Sequence, residues 1–159
     1  MINPRPESRG FTLTEVTVVI VLAGVVTLGL VGFYLNSQAM WMDASTQALA
    51  QRDATSILES MRQRGHRAAL AIWNAPNHKV TFYDNSLQEL DSFSWSSADS
   101  LVHHWVGPTD DGPLAPTIVE QFAVSTDPHF GLVSVDTLRV RSTSGVRVTM
   151  STTIGLFNQ

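Results

Sequence analysis

The sequence contains no cysteine and only one lysine, and each scarcity excludes a class of function. Without cysteine, this chain of 159 residues forms no disulfide and offers no thiolate ligand to a metal. The single lysine, Lys79, and a formal net charge of −4 leave no strongly basic surface that would neutralise many phosphates. Nucleic acid is therefore not an expected partner. The length fits one globular domain with an additional segment, since single domains cluster at about 100 to 150 residues.

Sequence motifs for catalysis are also lacking, because no GxSxG, HExxH or P-loop pattern occurs. We therefore predict no enzyme, no catalytic residue and no cofactor. His103 and His104 are adjacent on a predicted strand, so their side chains point to opposite faces and do not bind one metal together. The run Asp110-Asp111-Gly112 clusters carboxylates that suit calcium but lacks the EF-hand spacing. We interpret it as an ordinary turn, with calcium as the alternative, and predict no metal site.

A long uncharged apolar segment follows the first few residues. Residues 16–35 have the length, about 20 residues, that a helix needs to cross a bilayer. Their β-branched residues lower helicity in water, but in hydrocarbon every backbone N–H and C=O must be paired internally, which favours a helix. Arg5 and Arg9 precede the segment, whereas the next basic residue is Arg52. The positive-inside tendency therefore places residues 1–10 in the cytoplasm and predicts export of the rest.

Three interpretations of this segment compete: a signal peptide, a plain membrane anchor and a prepilin leader. Ser37 and Ala39 would supply the small residues that precede a signal-peptide cut, but the apolar run is longer than the roughly 7 to 15 residues of such peptides. Glu15 separates the other two interpretations. A carboxylate costs up to about 2.5 to 3.5 kcal/mol at the bilayer centre, so a plain anchor has no reason to contain one. Glu15 therefore indicates a binding partner.

The run Arg9-Gly10-Phe11-Thr12-Leu13-Thr14-Glu15-Val16 resembles the cleavage and methylation signature of type IV pilins and type II secretion pseudopilins. The resemblance implies cleavage between Gly10 and Phe11, N-methylation of Phe11 and an assembly role for Glu15. As partners it implies the prepilin peptidase and methyltransferase, other pilins or pseudopilins, an inner-membrane assembly platform and membrane lipid. Independently, Glu15 would lie one turn from the new helix N-terminus, where the dipole and the free N–H groups favour an anion.

Two departures from the pilin pattern favour a minor pseudopilin or a minor pilin. Gly32 stands where many major pilins carry a proline, and the absence of cysteine excludes a C-terminal disulfide loop. Gly24, Gly29 and Gly32 are either close-packing positions for neighbouring helices or points where the helix loosens. We predict a structural subunit that is processed in the inner membrane and built into a pilus or pseudopilus. The alternative is a single-pass, membrane-anchored, exported binding domain that does not polymerise.

Beyond the membrane the sequence predicts that the helix continues to residue 64 and stops at Gly65. No proline or glycine occurs over residues 36–64, and Arg62 and Arg64 suit the C-terminal dipole. An apolar stripe at helical spacing predicts a packing face. Its members are Trp41, Ala44, Ala48, Ala54, Leu58 and Met61. Residues 66–72 predict a short further helix before Pro76.

The rest of the sequence, after this helix, predicts an antiparallel sheet. Residues 146–154 alternate apolar and polar side chains, as do residues 138–141 before them, and residues 142–145 supply the turn of a hairpin. Weaker strands are predicted at 79–83, 93–95, 101–106 and 117–124, and a loop at 107–116. The fold class is therefore α+β, a long N-terminal helix packed on an antiparallel sheet. The predicted segments are a cleaved leader (1–10), a transmembrane assembly helix (11–35), an exported amphipathic helix (36–65) and a β-rich domain (66–159).

Overall fold

One long helix and eight strands make up the part of the chain that the computed structural model describes, residues 11–127 and 129–156. This arrangement confirms the predicted α+β class. The helix α1 spans Leu13–Gly65, as the uninterrupted apolar and amphipathic patterns predict. The strands are β1 (Leu70–Asn74), β2 (Lys79–Tyr83), β3 (Glu89–Ser96), β4 (Leu101–Val106), β5 (Thr109–Pro113), β6 (Ile118–Asp127), β7 (Leu132–Arg141) and β8 (Arg147–Gly155).

The strands form two antiparallel sheets. One sheet has the order β1-β2-β3-β4-β5 and the other the order β6-β7-β8. Within each sheet, every strand pairs with the strands that precede and follow it in sequence, so short turns join them. The predicted 138–154 hairpin is β7–β8, and its turn is closed by a bond from the Ser142 N–H to the Val146 carbonyl. Gly145 adopts φ +87° in this turn, a conformation that glycine reaches without strain.

The chain divides into two compact units, Met1–Met42 and Asp43–Gln159. In the first unit the large apolar side chains of α1 are exposed. The most apolar stretch of α1 has a mean hydropathy of 2.6. The helix is therefore long and apolar enough to cross a membrane. In the second unit α1 contributes Ala54, Ile57 and Met61 to a core that both sheets complete.

The packing face of α1 begins later than the sequence pattern predicts. Ala54, Leu58 and Met61 are buried as expected, but Trp41 is 75% exposed, and Ala44 and Ala48 are exposed as well. Ala50 is the first buried residue of the helix. The helical period identifies which side of a helix is apolar, but it does not indicate how far along the helix the sheets extend.

Two further predictions are wrong. Residues 66–72 were expected to form a short helix, yet Leu70–Asn74 is strand β1, whose Ala71 lies in the core opposite Phe82 of β2. Residues 107–116 were expected to form a loop, yet Thr109–Pro113 is strand β5, which pairs with β4. Both segments form strands because they pair with a neighbouring strand, and the composition of the segment alone does not show that neighbour.

Candidate site for N-terminal processing and assembly

The predicted processing residues lie at the beginning of the described chain. Gly10 and the predicted leader, residues 1–10, lie outside the described residues. Phe11 is the first described residue, and its side chain is 84% exposed. Glu15 lies in the first turn of α1.

Thr12 and Glu15 form a capping box at the start of α1. The Thr12 N–H donates to Glu15 Oε2 at 2.8 Å, and the Thr12 hydroxyl donates to the same oxygen at 2.9 Å. In return the Glu15 N–H donates to Thr12 Oγ1 at 3.3 Å. The two backbone N–H groups, of Thr12 and Glu15, are ones that a helix terminus otherwise leaves without a partner. Losing an N-cap side chain typically costs about 1 kcal/mol of helix stability.

From the sequence, Glu15 was predicted to act in assembly, and its role in the cap was not predicted. The signal was present, because a threonine followed three residues later by glutamate, just before an apolar run, is the sequence pattern of a capping box. The cap fixes the carboxylate beside the helix start. The same carboxylate is therefore already ordered in the single chain, before any neighbour is added.

The polar groups of the apolar segment bond within the helix. The Thr17 hydroxyl donates to the Leu13 carbonyl at 2.9 Å, and the Thr27 hydroxyl donates to the Ala23 carbonyl at 2.7 Å. Hydrogen bonding of this kind lowers the cost of placing a hydroxyl in hydrocarbon. The helix continues unbroken through the three glycines at positions 24, 29 and 32. A Cβ added at any of these three would meet nothing within 4 Å, so each position is open to a neighbouring helix.

The two adjacent histidines lie on β4 with separate partners. His103 Nε2 lies 2.7 Å from Asp99 Oδ2, and its Nδ1 lies 3.1 Å from Asp110 Oδ2. Partial burial lowers the pKa of His103, but the hydrogen bond to Asp99 and the attraction of Asp110 and Asp99 outweigh it, so that this pKa is raised above 6.5. The hydrogen bond from His103 in turn lowers the pKa of Asp99.

His104 is buried and binds two other carboxylates. Its Nε2 lies 2.7 Å from Asp91 Oδ1, and its Nδ1 lies 3.0 Å from Asp111 Oδ2. Asp111 and its neighbours belong to β5, so the predicted turn at 110–112 is wrong. Within residues 11–127 and 129–156, no group of three or more histidine, aspartate or glutamate side chains is arranged to hold a metal ion.

Comparison with known families identifies the N-terminal segment. A family described as the prokaryotic N-terminal methylation motif matches residues 5–31. This match confirms the predicted prepilin-type signature, and it supports processing by a prepilin peptidase and assembly with other pilins in general. Together with the exposed apolar helix, it fits a membrane-anchored pilin or pseudopilin. No curated protein and no solved structure matches the chain significantly.

Proposed function

We propose that this chain is a minor pilin or minor pseudopilin, a structural subunit that enters the fibre of a type IV pilus or a type II secretion system. The methylation motif at residues 5–31 is the observation that carries the proposal. Residues 1–10 form the cytoplasmic leader, which prepilin peptidase removes between Gly10 and Phe11, and the new amine of Phe11 is methylated. Residues 11–35 then hold the mature chain in the inner membrane, with residues 36–159 on the exported side.

Glu15 supports assembly through charge pairing between subunits. Both Thr12 bonds end on Oε2 of Glu15, so Oε1 faces no described donor and is available to an incoming cation. In a fibre that cation is the Phe11 amine of a neighbour. A low dielectric strengthens the attraction, and pairing offsets part of the cost of removing both charges from water. The capping box holds the carboxylate in place beforehand, which reduces the side-chain entropy lost on assembly.

The exposed apolar helix supports the same proposal. A helix with apolar residues on all sides is stable in a membrane or among other apolar helices. Lipid covers this surface while the subunit waits in the membrane. In the fibre the N-terminal helices of neighbouring subunits cover it, and the open positions at Gly24, Gly29 and Gly32 permit close approach.

Substitutions at Glu15 test the assembly step in cells that lack the parental copy. Glu15→Ala removes the carboxylate and Glu15→Gln keeps its shape without the charge. Both variants should insert and be cleaved, yet be absent from sheared fibres and from crosslinks with partner pilins. Thr12→Ala is the matched control, since it weakens the same cap but retains the carboxylate, and it should assemble. Parental levels of either Glu15 variant in the fibre fraction would overturn the role of Glu15.

A further inference from the structure

The edge strand β5 has a composition that disfavours a strand. Its sequence, Thr109-Asp110-Asp111-Gly112-Pro113, contains aspartate, glycine and proline, all of which are depleted in strands. It pairs only with β4, at the edge of the five-stranded sheet. Backbone pairing with one neighbour holds such a strand weakly. Side-chain contacts must therefore contribute to its position.

Those contacts come from the two adjacent histidines of β4. A register shift between His104 and Trp105 places Trp105 opposite Asp110 and His104 opposite Gly112, so that Asp111 has no directly paired residue. This bulge allows two consecutive carboxylates of β5 to meet two consecutive imidazoles. Asp110 contacts His103, and Asp111 contacts His104. We call these four residues the His–Asp clamp.

The geometry of the clamp requires protons. Each histidine has both ring nitrogens within 3.1 Å of carboxylate oxygens, and these oxygens accept hydrogen bonds. A neutral imidazole carries one N–H, whereas an imidazolium carries two. His104 is only 2% exposed, so water does not replace a lost partner. Both contacts of each ring are hydrogen bonds only when the ring is positively charged.

We propose that the His–Asp clamp is a proton-dependent latch, which fixes β5 to the sheet when His103 is protonated and releases it when His103 loses its proton. The charged groups around His103 are Asp99, from the turn between β3 and β4, and Asp110 of β5. Deprotonation of His103 leaves its ring with a single N–H and therefore one hydrogen bond short. The strand is then held mainly by its backbone pairing, so it opens more often and exposes the edge of β4.

The groups that face His104 come from three elements. Asp91 lies on β3, Asp111 lies on β5, and Arg64 of α1 donates to Asp91 Oδ1 at 3.0 Å. For His103 the pKa is raised by folding, so its contribution to stability is complete below about pH 6.5 and is lost as the pH rises through the higher folded value.

Amide hydrogen exchange tests the latch in the full chain, held in detergent micelles. After correction for intrinsic rates, the protection of β5 amides should be about tenfold greater near pH 5.5 than near pH 8, while β2 serves as an internal reference. The double variant Asp110→Asn with Asp111→Asn should lose this dependence. Asp136→Asn alters an exposed strand carboxylate of β7 that contacts Ser125, and it should keep the parental dependence.

Two results would overturn the latch. One is equal protection of β5 at both pH values in the parent. The other is an unchanged pH dependence in the double asparagine variant. Nitrogen-15 NMR of the imidazoles gives a second measurement that needs no substitution. His103 should carry protons on both ring nitrogens near pH 5.5, and a ring with a single N–H at that pH would equally contradict the proposal.

Discussion

Gly65 shows how one residue fixes the end of α1 against both sheets. It is the last residue of the helix and is buried, and a Cβ there would lie 2.8 Å from Ile154 Cγ2 and 3.3 Å from Phe82 Cε1. Ile154 belongs to β8 and Phe82 to β2, so the helix approaches a strand of each sheet at this point. The stop at Gly65 was predicted from sequence, but close packing accounts for the glycine.

Gly65→Ala should therefore destabilise the exported part of the chain. Overpacking of this kind costs about 1 to 3 kcal/mol of unfolding free energy, because the neighbouring side chains must leave their preferred rotamers. Denaturant unfolding of residues 36–159 measures the change. Gly155→Ala is the control, since a Cβ there would meet nothing within 4 Å, and it should cause no loss. Equal stability of the two variants would show that the contact at Gly65 is relaxed at no cost.

Gly10 is the residue before the proposed cut. A peptidase must accept the backbone at the cut, and glycine presents no side chain to exclude. Gly10→Val should block cleavage and leave the longer precursor in the membrane. Immunoblotting against the C-terminal domain distinguishes the two lengths, with Ser8→Val as the control, since it adds the same side chain away from the cut. Normal-length mature chain in the Gly10 variant would count against prepilin processing.

At the scale of elements, the segment of α1 that precedes the core carries an exposed tryptophan. Trp41 lies six residues beyond residue 35, about 9 Å of helix, whereas the headgroup layer adds only about 5 to 8 Å to each side of the hydrocarbon. On the predicted bounds of the membrane helix, lipid does not fully cover Trp41, and the Trp41 side chain is 75% exposed in the single chain. Exposed tryptophans are frequent anchors of protein interfaces. We expect Trp41 to contact a neighbouring subunit.

Trp41→Ala should weaken fibre assembly without affecting the fold. The unfolding free energy of residues 36–159 should change by no more than about 0.5 kcal/mol, because the Trp41 side chain is largely exposed in the single chain. The amount of the variant in sheared fibres should decrease. Phe130→Ala removes an aromatic side chain that is similarly exposed, at 74%, and should leave both measurements unchanged. A destabilised Trp41 variant, or one that assembles normally, would contradict this expectation.

The strands show what the sequence does and does not determine. Strands β2 and β4 have the predicted bounds, since β-branched and aromatic residues are concentrated there between turn residues. Strand β1 was predicted as a helix because Leu70, Ala71 and Ile72 are apolar without alternation. Short apolar runs of this kind occur in both helices and buried strands. Strand β5 was predicted as a loop because aspartate, glycine and proline are depleted in strands. Its contacts with His103 and His104 of β4 are not visible in the local sequence.

The candidate site was predictable in part for similar reasons. The processing signature is a contiguous run of residues, so it can be recognised from the sequence without a structure. The capping box is also local, and attention to the spacing of Thr12 and Glu15 would have found it. The clamp depends on a bulge between β4 and β5, which no linear pattern of residues reveals.

At the scale of the whole molecule, the two units have different requirements. The unit Asp43–Gln159 has its own apolar core, built by α1 and both sheets, whereas the large apolar side chains of the preceding unit are exposed. Residues 36–159 should therefore fold without the membrane segment. We expect a cooperative thermal transition in circular dichroism that does not depend on protein concentration, as for a two-state monomer. An unfolded spectrum would mean that the core needs the N-terminal helix.

The mass of the N-terminus shows whether the chain is processed as a prepilin-type subunit. Intact-protein mass spectrometry of the chain, purified from cells that contain a prepilin peptidase, distinguishes the possible forms. A processed prepilin-type subunit should begin at Phe11 and carry one added methyl group on its amine. A chain that still begins at Met1 in those cells would contradict prepilin processing and favour a plain membrane anchor.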